Sequence, residues 1–541
     1  MNDATRPNAL TLAHLWVAFI TFGLAAVLGM YQVLERAQMV PTWSEGYYLS
    51  VSAHGVIMGF VLTTFFIVGF GYWMAATSLK RPVWSPGLAW FGWVLMVVGV
   101  LMAVFALVTR QATVLYTFYP PLTAHWTFYL GAALLIVGSF VWAAIMIVMA
   151  VQWKRDNPGQ TLPLPMFGTT INALLWLWTA AGVVMEVVFQ LLPLAFGLVD
   201  TVDVGLARTF FAWTLHPIVY FWLIPAYLAF YTITPKLAGG RLLSDEMARI
   251  AFIMLFIFGL PIGFHHLYVD PFQAAGWKLL HGFGTFLVAI PTLITGFTVL
   301  GSLEIAGRLR GGKGLFGWIG AIDWKEPVVL ATGLAMLMLT FGGFGGMVNA
   351  SYGMNTMVHN TMWVPAHFHL IFGGTVVIMY LALAYYLWPK LTGRALASAA
   401  MARTQLWLWF LGMLVLTIPW HYVGLLWMPR RTAFTPYDPA FVQQWEPWSY
   451  IMGFGGIILA ISAVLFLVNL VRSSFGSTPA SESDRVVEYA QAVHPAVHLP
   501  ASLNGFALWN WLLVVLMGVS FGYPIVQFFI LDTHNALAWG W

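Results

Sequence analysis

The sequence predicts an all-α polytopic membrane protein with about 13 transmembrane helices. Three observations predict it. Of 541 residues, 60% are hydrophobic and only 8% are charged, against roughly a quarter charged in an ordinary soluble domain. Mean hydropathy is +0.82. The apolar residues form continuous blocks rather than alternating ones, which excludes a membrane β-barrel. So little polar surface also excludes a soluble globular enzyme, a nucleic-acid binder and a disordered chain. At about 20 apolar residues per crossing, the length accommodates about a dozen spans.

Pro, Gly and charge bound the blocks. The first, 14–37, follows a polar start (MNDATRPNAL) without the charged region and cleavage pattern of a signal peptide. It ends at Arg36. The second, 48–79, stops at Lys80 and Arg81. The third, 87–110, closes on Arg110, and the fourth, 124–152, runs out at Lys154 and Arg155. The fifth is 167–196. The sixth, 205–236, has Arg208 near its start and Lys236 at its end. The seventh is 245–268. The eighth, 275–305, holds Lys278 near its start and precedes a basic loop with Arg308, Arg310 and Lys313. The ninth is 326–349, and the tenth is 360–391. The eleventh, 402–427, precedes Arg430 and Arg431. The twelfth is 446–473, and the thirteenth is 503–533. The one sizeable polar interruption, about 474–500, reads as a flexible loop within a single transmembrane domain spanning 1–541.

Orientation follows from the basic residues. With the N-terminus inside, 17 of the 23 Lys and Arg fall on the cytoplasmic side. Arg36, Arg110, Arg208, Lys278, Arg430 and Arg431 fall outside. The N-terminus is therefore expected in the cytoplasm and the C-terminus outside. The net charge of +4 needs no acidic partner, since cytoplasmic loops are basic in most membrane proteins. The chain has no cysteine, which leaves its 14 histidines as the obvious soft-metal ligands.

An imidazole inside a lipid-embedded helix is costly and needs a partner. Six histidines form a pattern. His54 is near the start of the second span, and His216 lies a third of the way into the sixth. His265 and His266 end the seventh, and His367 and His369 are near the start of the tenth. Alternating span direction places all six in the outer part of the membrane. Helical neighbours two apart project about 200° apart, so His367 and His369 face opposite sides of one helix and can ligate two different groups. His265 and His266 sit where an irregular helix end lets both reach one ion. His216 and Tyr220 are four apart and share a face. Imidazoles suit haem iron and copper, and three without a thiolate make a copper site. His14, His125, His281, His421, His494, His498 and His534 read as ordinary hydrogen-bonded residues. The 28 Trp and 41 Phe read mostly as lipid contacts and interfacial belts.

The chain resembles subunit I of the haem–copper oxidases, specifically the B-family oxygen reductases related to ba-type cytochrome c oxidases. The resemblance covers nearly the whole chain. It is carried by SAHGVIMGF (52–60), LYTFYPPL (115–122), WTLHPIVYFWLIPAY (213–227), GFHHLYVDP (263–271), WVPAHFHL (363–370) and MPRR (428–431). It implies the helical bundle of that subunit. It also implies that His54 and His369 ligate a low-spin haem b and His367 a high-spin haem of a- or b-type. His216, His265 and His266 would bind copper. Tyr220 would be the active-site tyrosine, linked to His216. Arg430, Arg431 and His359 match residues around the haem propionates.

The A-family oxidases have Glu where this chain has Ile218, so a single B-family proton path is implied. Its matching positions are Tyr227, Tyr231, Ser244, Thr292, Thr295 and Thr298. Tyr220, Tyr227 and Tyr231 follow i, i+7, i+11, one helical face. Thr292, Thr295 and Thr298 recur every three residues. The plainer reading is that such hydroxyls bond their own helix backbone. The chain also departs from the pattern. Leu215 and Ala366 precede ligand histidines where relatives often have Gly, and Asn355 stands where an Asp is expected. Glu186 is an intramembrane carboxylate with no assigned role.

The implied function is reduction of dioxygen to water by a terminal respiratory oxidase in the plasma (inner) membrane of a prokaryote. Electrons would come from cytochrome c or a similar donor, with proton uptake and pumping. The donor-side dinuclear copper centre needs cysteines, so it would reside in a partner subunit II. The lipid bilayer is the other partner, and none is a nucleic acid. Nitric oxide reduction would use the same six histidines but typically lacks the tyrosine. A non-redox haem-binding transporter would show broken helices and internal repeats, which are not seen.

Overall fold

A computed structural model describes residues 7–496 and 499–531. Arg6, His498, His534 and the last two positions of the thirteenth block lie outside the described residues. Thirteen helices among the described residues are long and apolar enough to cross a membrane. They are α1 (Asn8–Arg36), α2 (Ser44–Leu79), α3 (Pro86–Val108), α4 (Trp126–Asp156), α5 (Leu164–Ala195), α6 (Val204–Leu237), α7 (Asp245–Leu267), α8 (Ala275–Leu309), α9 (Pro327–Ala350), α10 (Trp363–Thr392), α11 (Ala399–Leu425), α12 (Ala440–Phe475) and α13 (Ala507–Ile530). Each expected block overlaps one of them. The helices run a few residues beyond the apolar blocks at several ends. Backbone hydrogen bonding continues into the polar boundary after hydropathy has fallen.

The bundle has a clear inside. In α6 and α10, 94% of the most apolar stretch is buried, against 28% in α3. The helices bearing the sixth- and tenth-span histidines are therefore the core, and α3 is a lipid-facing rim. Leu, Phe and Trp side chains outside that core face the acyl chains, where an exposed apolar residue costs nothing.

Several central helices depart from regular α geometry. Wide π turns occupy Ile57–Leu62 in α2, Val187–Leu191 in α5, Phe372–Val377 in α10 and Gly518–Gly522 in α13. The first and third follow His54 and His369 by three residues. Each wide turn skips one hydrogen-bond register and re-aims the following face. In α6 the helix is interrupted at His216 and Pro217, because proline lacks an N–H and disfavours helix in the residue before it. The C-terminal end of α7 unwinds at Leu260–Gly263 and finishes as a 3₁₀ turn, Phe264–Leu267.

The polar stretch near 474–500 carries structure. It contains a short helix, Glu482–Arg485, and a strand β2 (Ala492–His494) that pairs in parallel with β1 (Leu242–Ser244). Tyr489 bonds Thr77 at 2.6 Å, Ala490 N–H donates to Thr232 O at 2.7 Å, and Lys236 pairs with Glu488. The segment thus crosses the ends of α2, α6 and α7.

Candidate haem and metal centre

His54 and His369 meet across the gap between α2 and α10. Their rings are nearly parallel, 12° apart, with centroids 6.2 Å apart. Two imidazoles on opposite sides of one metal, at about 2.0–2.1 Å each, have ring centres about 6 Å apart. The tautomers agree. His54 Nδ1 lies 2.8 Å from Ala25 O, and His369 Nδ1 lies 2.8 Å from Pro365 O. A carbonyl only accepts, so both Nδ1 atoms carry the proton and both Nε2 lone pairs are free to ligate. Gly29 of α1 makes room for this pair, since a Cβ there would stand 2.8 Å from the His54 ring.

The two histidines line an apolar cavity of about 1600 Å³, its open mouth included, with Met58, Phe60, Trp222 and Phe372 on its walls. Its almost wholly apolar lining suits a large flat apolar group. Arg36, Arg430 and Arg431 stand on the same lining. Arg430 donates to Asn360 Oδ1 at 3.0 Å, and the Arg431 guanidinium lies 5.6 Å from the Tyr116 ring centre. Arg36 donates to Pro429 O at 2.8 Å, which ties α1 to the arginine loop. Arg36 had no signal in the sequence beyond its place at a helix end.

His367 points elsewhere. Its Nδ1 lies 2.8 Å from Gly342 O of α9, so its Nε2 is also left unprotonated. It is absent from the lining of the cavity that His54 and His369 share. The two histidines of the HFH motif therefore serve different spaces, as a 200° separation requires.

His216, His265 and His266 converge, with one ring nitrogen from each within 4.8 Å of the others. The arrangement draws on three irregularities. His216 sits at the break in α6. His265 and His266 are adjacent on the 3₁₀ turn. The turn approaches α6 so closely that a Cβ on Gly263 would stand 2.3 Å from Ala212 O. His216 Nε2 is 2.6 Å from the Tyr220 hydroxyl, which leaves Nδ1 to ligate. His266 Nε2 is buried without a hydrogen-bond partner among the described residues, an arrangement expected of a ligand nitrogen. A cluster of neutral imidazoles with no carboxylate or thiolate fits copper.

His359 does not line the large cavity. Its Nδ1 lies 3.1 Å from Asn355 Oδ1, and Asn355 Nδ2 donates to Asn349 O at 2.7 Å. Burial, and then the charges of Arg430, Arg208 and Arg431, push His359 down to about 4, so the ring is neutral at physiological pH. Arg208 pairs with the buried Asp270 and lies over the Tyr119 ring at 4.7 Å. The sequence marked neither as a pair.

The hydroxyl positions are brought together unevenly. Tyr227 and Tyr231 are fully buried. Tyr231 and Thr295 share a hydrogen bond of 2.6 Å between α6 and α8. The Tyr227 hydroxyl faces Thr292 and Thr295 without a direct hydrogen bond. Thr292 and Thr295 also bond their own helix, at Val288 O and Pro291 O. Thr298 Oγ1 is buried and unpartnered among the described residues. Ser244 caps α7 by accepting from Met247 N–H at 3.2 Å.

Residues 9–458 match the model of the family described as cytochrome c and quinol oxidase polypeptide I. The chain is 38% identical to cytochrome c oxidase subunit 1 of Thermus thermophilus, covering 96% of this chain and 94% of that one. It is 26% identical to cytochrome c oxidase subunit 1 of Thermostichus vulcanus over 85% of this chain and 82% of that one. A solved structure described as a heme-copper terminal oxidase dimer superposes with a TM-score of 0.90 at 38% identity, covering 96% of this chain and 92% of that one. With a bis-histidine gap, a third histidine facing another space and a trihistidine cluster on this bundle, the chain belongs to the cytochrome c and quinol oxidase polypeptide I family, the catalytic subunits I of the haem–copper oxidases.

Proposed function

We propose that this multi-pass prokaryotic membrane protein is the catalytic subunit of a B-type cytochrome c oxidase that reduces dioxygen to water. The observation that carries this reading is the placement of Tyr220 against His216 in a cluster of three imidazoles. His54 and His369 hold a low-spin haem b. His367 holds a high-spin haem of a- or b-type. His216, His265 and His266 hold copper. When bound, these groups carry electrons and supply the dioxygen chemistry. Arg430, Arg431 and His359 bind at the propionate edge, where guanidinium forks suit carboxylates.

The chain's own residues handle protons. Tyr220 holds a phenolic proton beside the metal cluster and gives it up as oxygen is reduced. The proton is replaced from the Lys80 end of the bundle through Ser244, Thr298, Thr295, Tyr231, Thr292 and Tyr227. The Tyr231–Thr295 bond supports this order, and the gap at Tyr227 calls for a bridging water. Thr295→Val removes the hydroxyl while keeping the shape. Oxygen uptake should fall by roughly 10²-fold, with unchanged haem spectra; full activity would remove Thr295 from the path.

Electrons arrive from cytochrome c or a similar donor through a subunit II with a dinuclear copper centre. The absence of cysteine in this chain supports a separate carrier. The basic-residue asymmetry supports a cytoplasmic N-terminus and an outer C-terminus, within one domain over 1–541. The test is oxygen and nitric oxide consumption by the purified complex with reduced donor, together with metal analysis. Oxygen uptake with two haem irons and one copper per chain is expected. Fast nitric oxide turnover with negligible oxygen uptake would sink the proposal.

A further inference from the structure

His281 of α8 is not among the three clustered imidazoles, and its side chain is wholly buried. Both ring nitrogens contact backbone. Phe264 N–H donates to Nδ1 at 3.3 Å. A peptide N–H only donates, so this nitrogen is bare. Nε2 lies 3.0 Å from Ser520 O of α13. A carbonyl only accepts, so this nitrogen carries the proton. The two bonds select one neutral tautomer. The ring also stacks on Phe264 at 3.9 Å and 3°.

The partners matter because of where they lie. Phe264 immediately precedes His265 and His266 and opens the 3₁₀ turn that carries them. Before it, α7 has unwound, and a helical turn's first N–H groups have no acceptor of their own. His281 supplies that acceptor. Ser520 lies in the π turn Gly518–Gly522, where the ladder is out of register and a carbonyl can take an outside donor. One turn along α8, Thr285 Oγ1 is 2.7 Å from His281 O and 3.1 Å from His265 Nδ1. The carbonyl takes the only hydroxyl proton, so His265 Nδ1 must donate, which frees its Nε2 to ligate.

We infer that His281 is a positioning residue for the copper centre, tying the turn that bears His265 and His266 to α8 and to the C-terminal helix α13. The inference rests on the copper reading of the three histidines. It makes α13, remote in sequence from every ligand, part of the support that holds two of them in place. Outer partners of this kind orient metal ligands and are worth on the order of 10–100-fold in metal affinity.

The test uses the purified complex with His281→Leu, His281→Asn and His281→Gln. Glutamine can accept from Phe264 N–H and donate to Ser520 O; asparagine is too short for both, and leucine offers neither. The readouts are copper retention against a chelator and the infrared band of carbon monoxide held on copper. The optical spectrum of the low-spin haem reports folding. His281→Leu and His281→Asn should hold copper about 10–100-fold more weakly, with a shifted or broadened band, and His281→Gln should match the parent. If the leucine variant fails to assemble, asparagine against glutamine decides. Parental copper retention and band in His281→Leu or His281→Asn would overturn the inference, as would a glutamine variant as defective as leucine. A parent complex without copper would instead refute the copper assignment itself.

Discussion

Replacing Tyr220 by Phe should lower oxygen reduction by roughly 10²–10⁴-fold, the range for losing a positioned proton donor. Both haems and copper should stay bound. The argument is local. The hydroxyl lies 2.6 Å from His216 Nε2, and the ring is packed in the core at 6% exposure. Phenylalanine keeps that packing and removes only the oxygen. The unpaired His216 nitrogen then costs about 1–3 kcal/mol of stability, too little to unfold a bundle of this size. Oxygen uptake measured beside the reduced-haem spectrum separates the two effects. Retained turnover would show that Tyr220 does not act at the oxygen site.

The second large effect concerns the HFH motif. His369→Leu should abolish the low-spin haem spectrum while leaving a haem that binds carbon monoxide. His367→Leu should do the reverse, and oxygen reduction should fall to background in both. The reason is that the two rings stand in different spaces. His369 faces His54 at 6.2 Å, whereas His367 is anchored on Gly342 O of α9. Each substitution therefore removes one ligand and leaves the other helix face untouched. Optical spectra of the reduced complexes with and without carbon monoxide decide it. Loss of both haem signals in both variants would mean that the two histidines are not independent. Together with the oxygen and nitric oxide assay and Thr295→Val, these experiments separate the haem, oxygen and proton assignments.

Much was legible in one dimension because a membrane is a one-dimensional constraint. A span must be apolar for about 20 residues, so hydropathy alone delimited 13 helices whose ends differ only at the polar boundary. Histidine is rare and costly in that setting, so the few present stood out. The 200° rule separated His367 from His369 without any knowledge of neighbours. The contact of Tyr220 with His216 followed from i, i+4 geometry beside one helical break, whereas its place among the site residues came from the resemblance.

What the sequence alone determined, then, was the number of spans, the identity of the imidazoles and the pairings within a helix, because these depend on residues at fixed short spacing. The tertiary structure alone decided which nitrogen of His54, His367 and His265 is free. That choice is made by groups on other helices: Ala25 O of α1 for His54, Gly342 O of α9 for His367 and Thr285 Oγ1 of α8 for His265. It also decided that Arg36 joins the cavity wall and that Asn355 holds His359. Such contacts depend on how closely two backbones approach, and no periodicity along the chain encodes that distance.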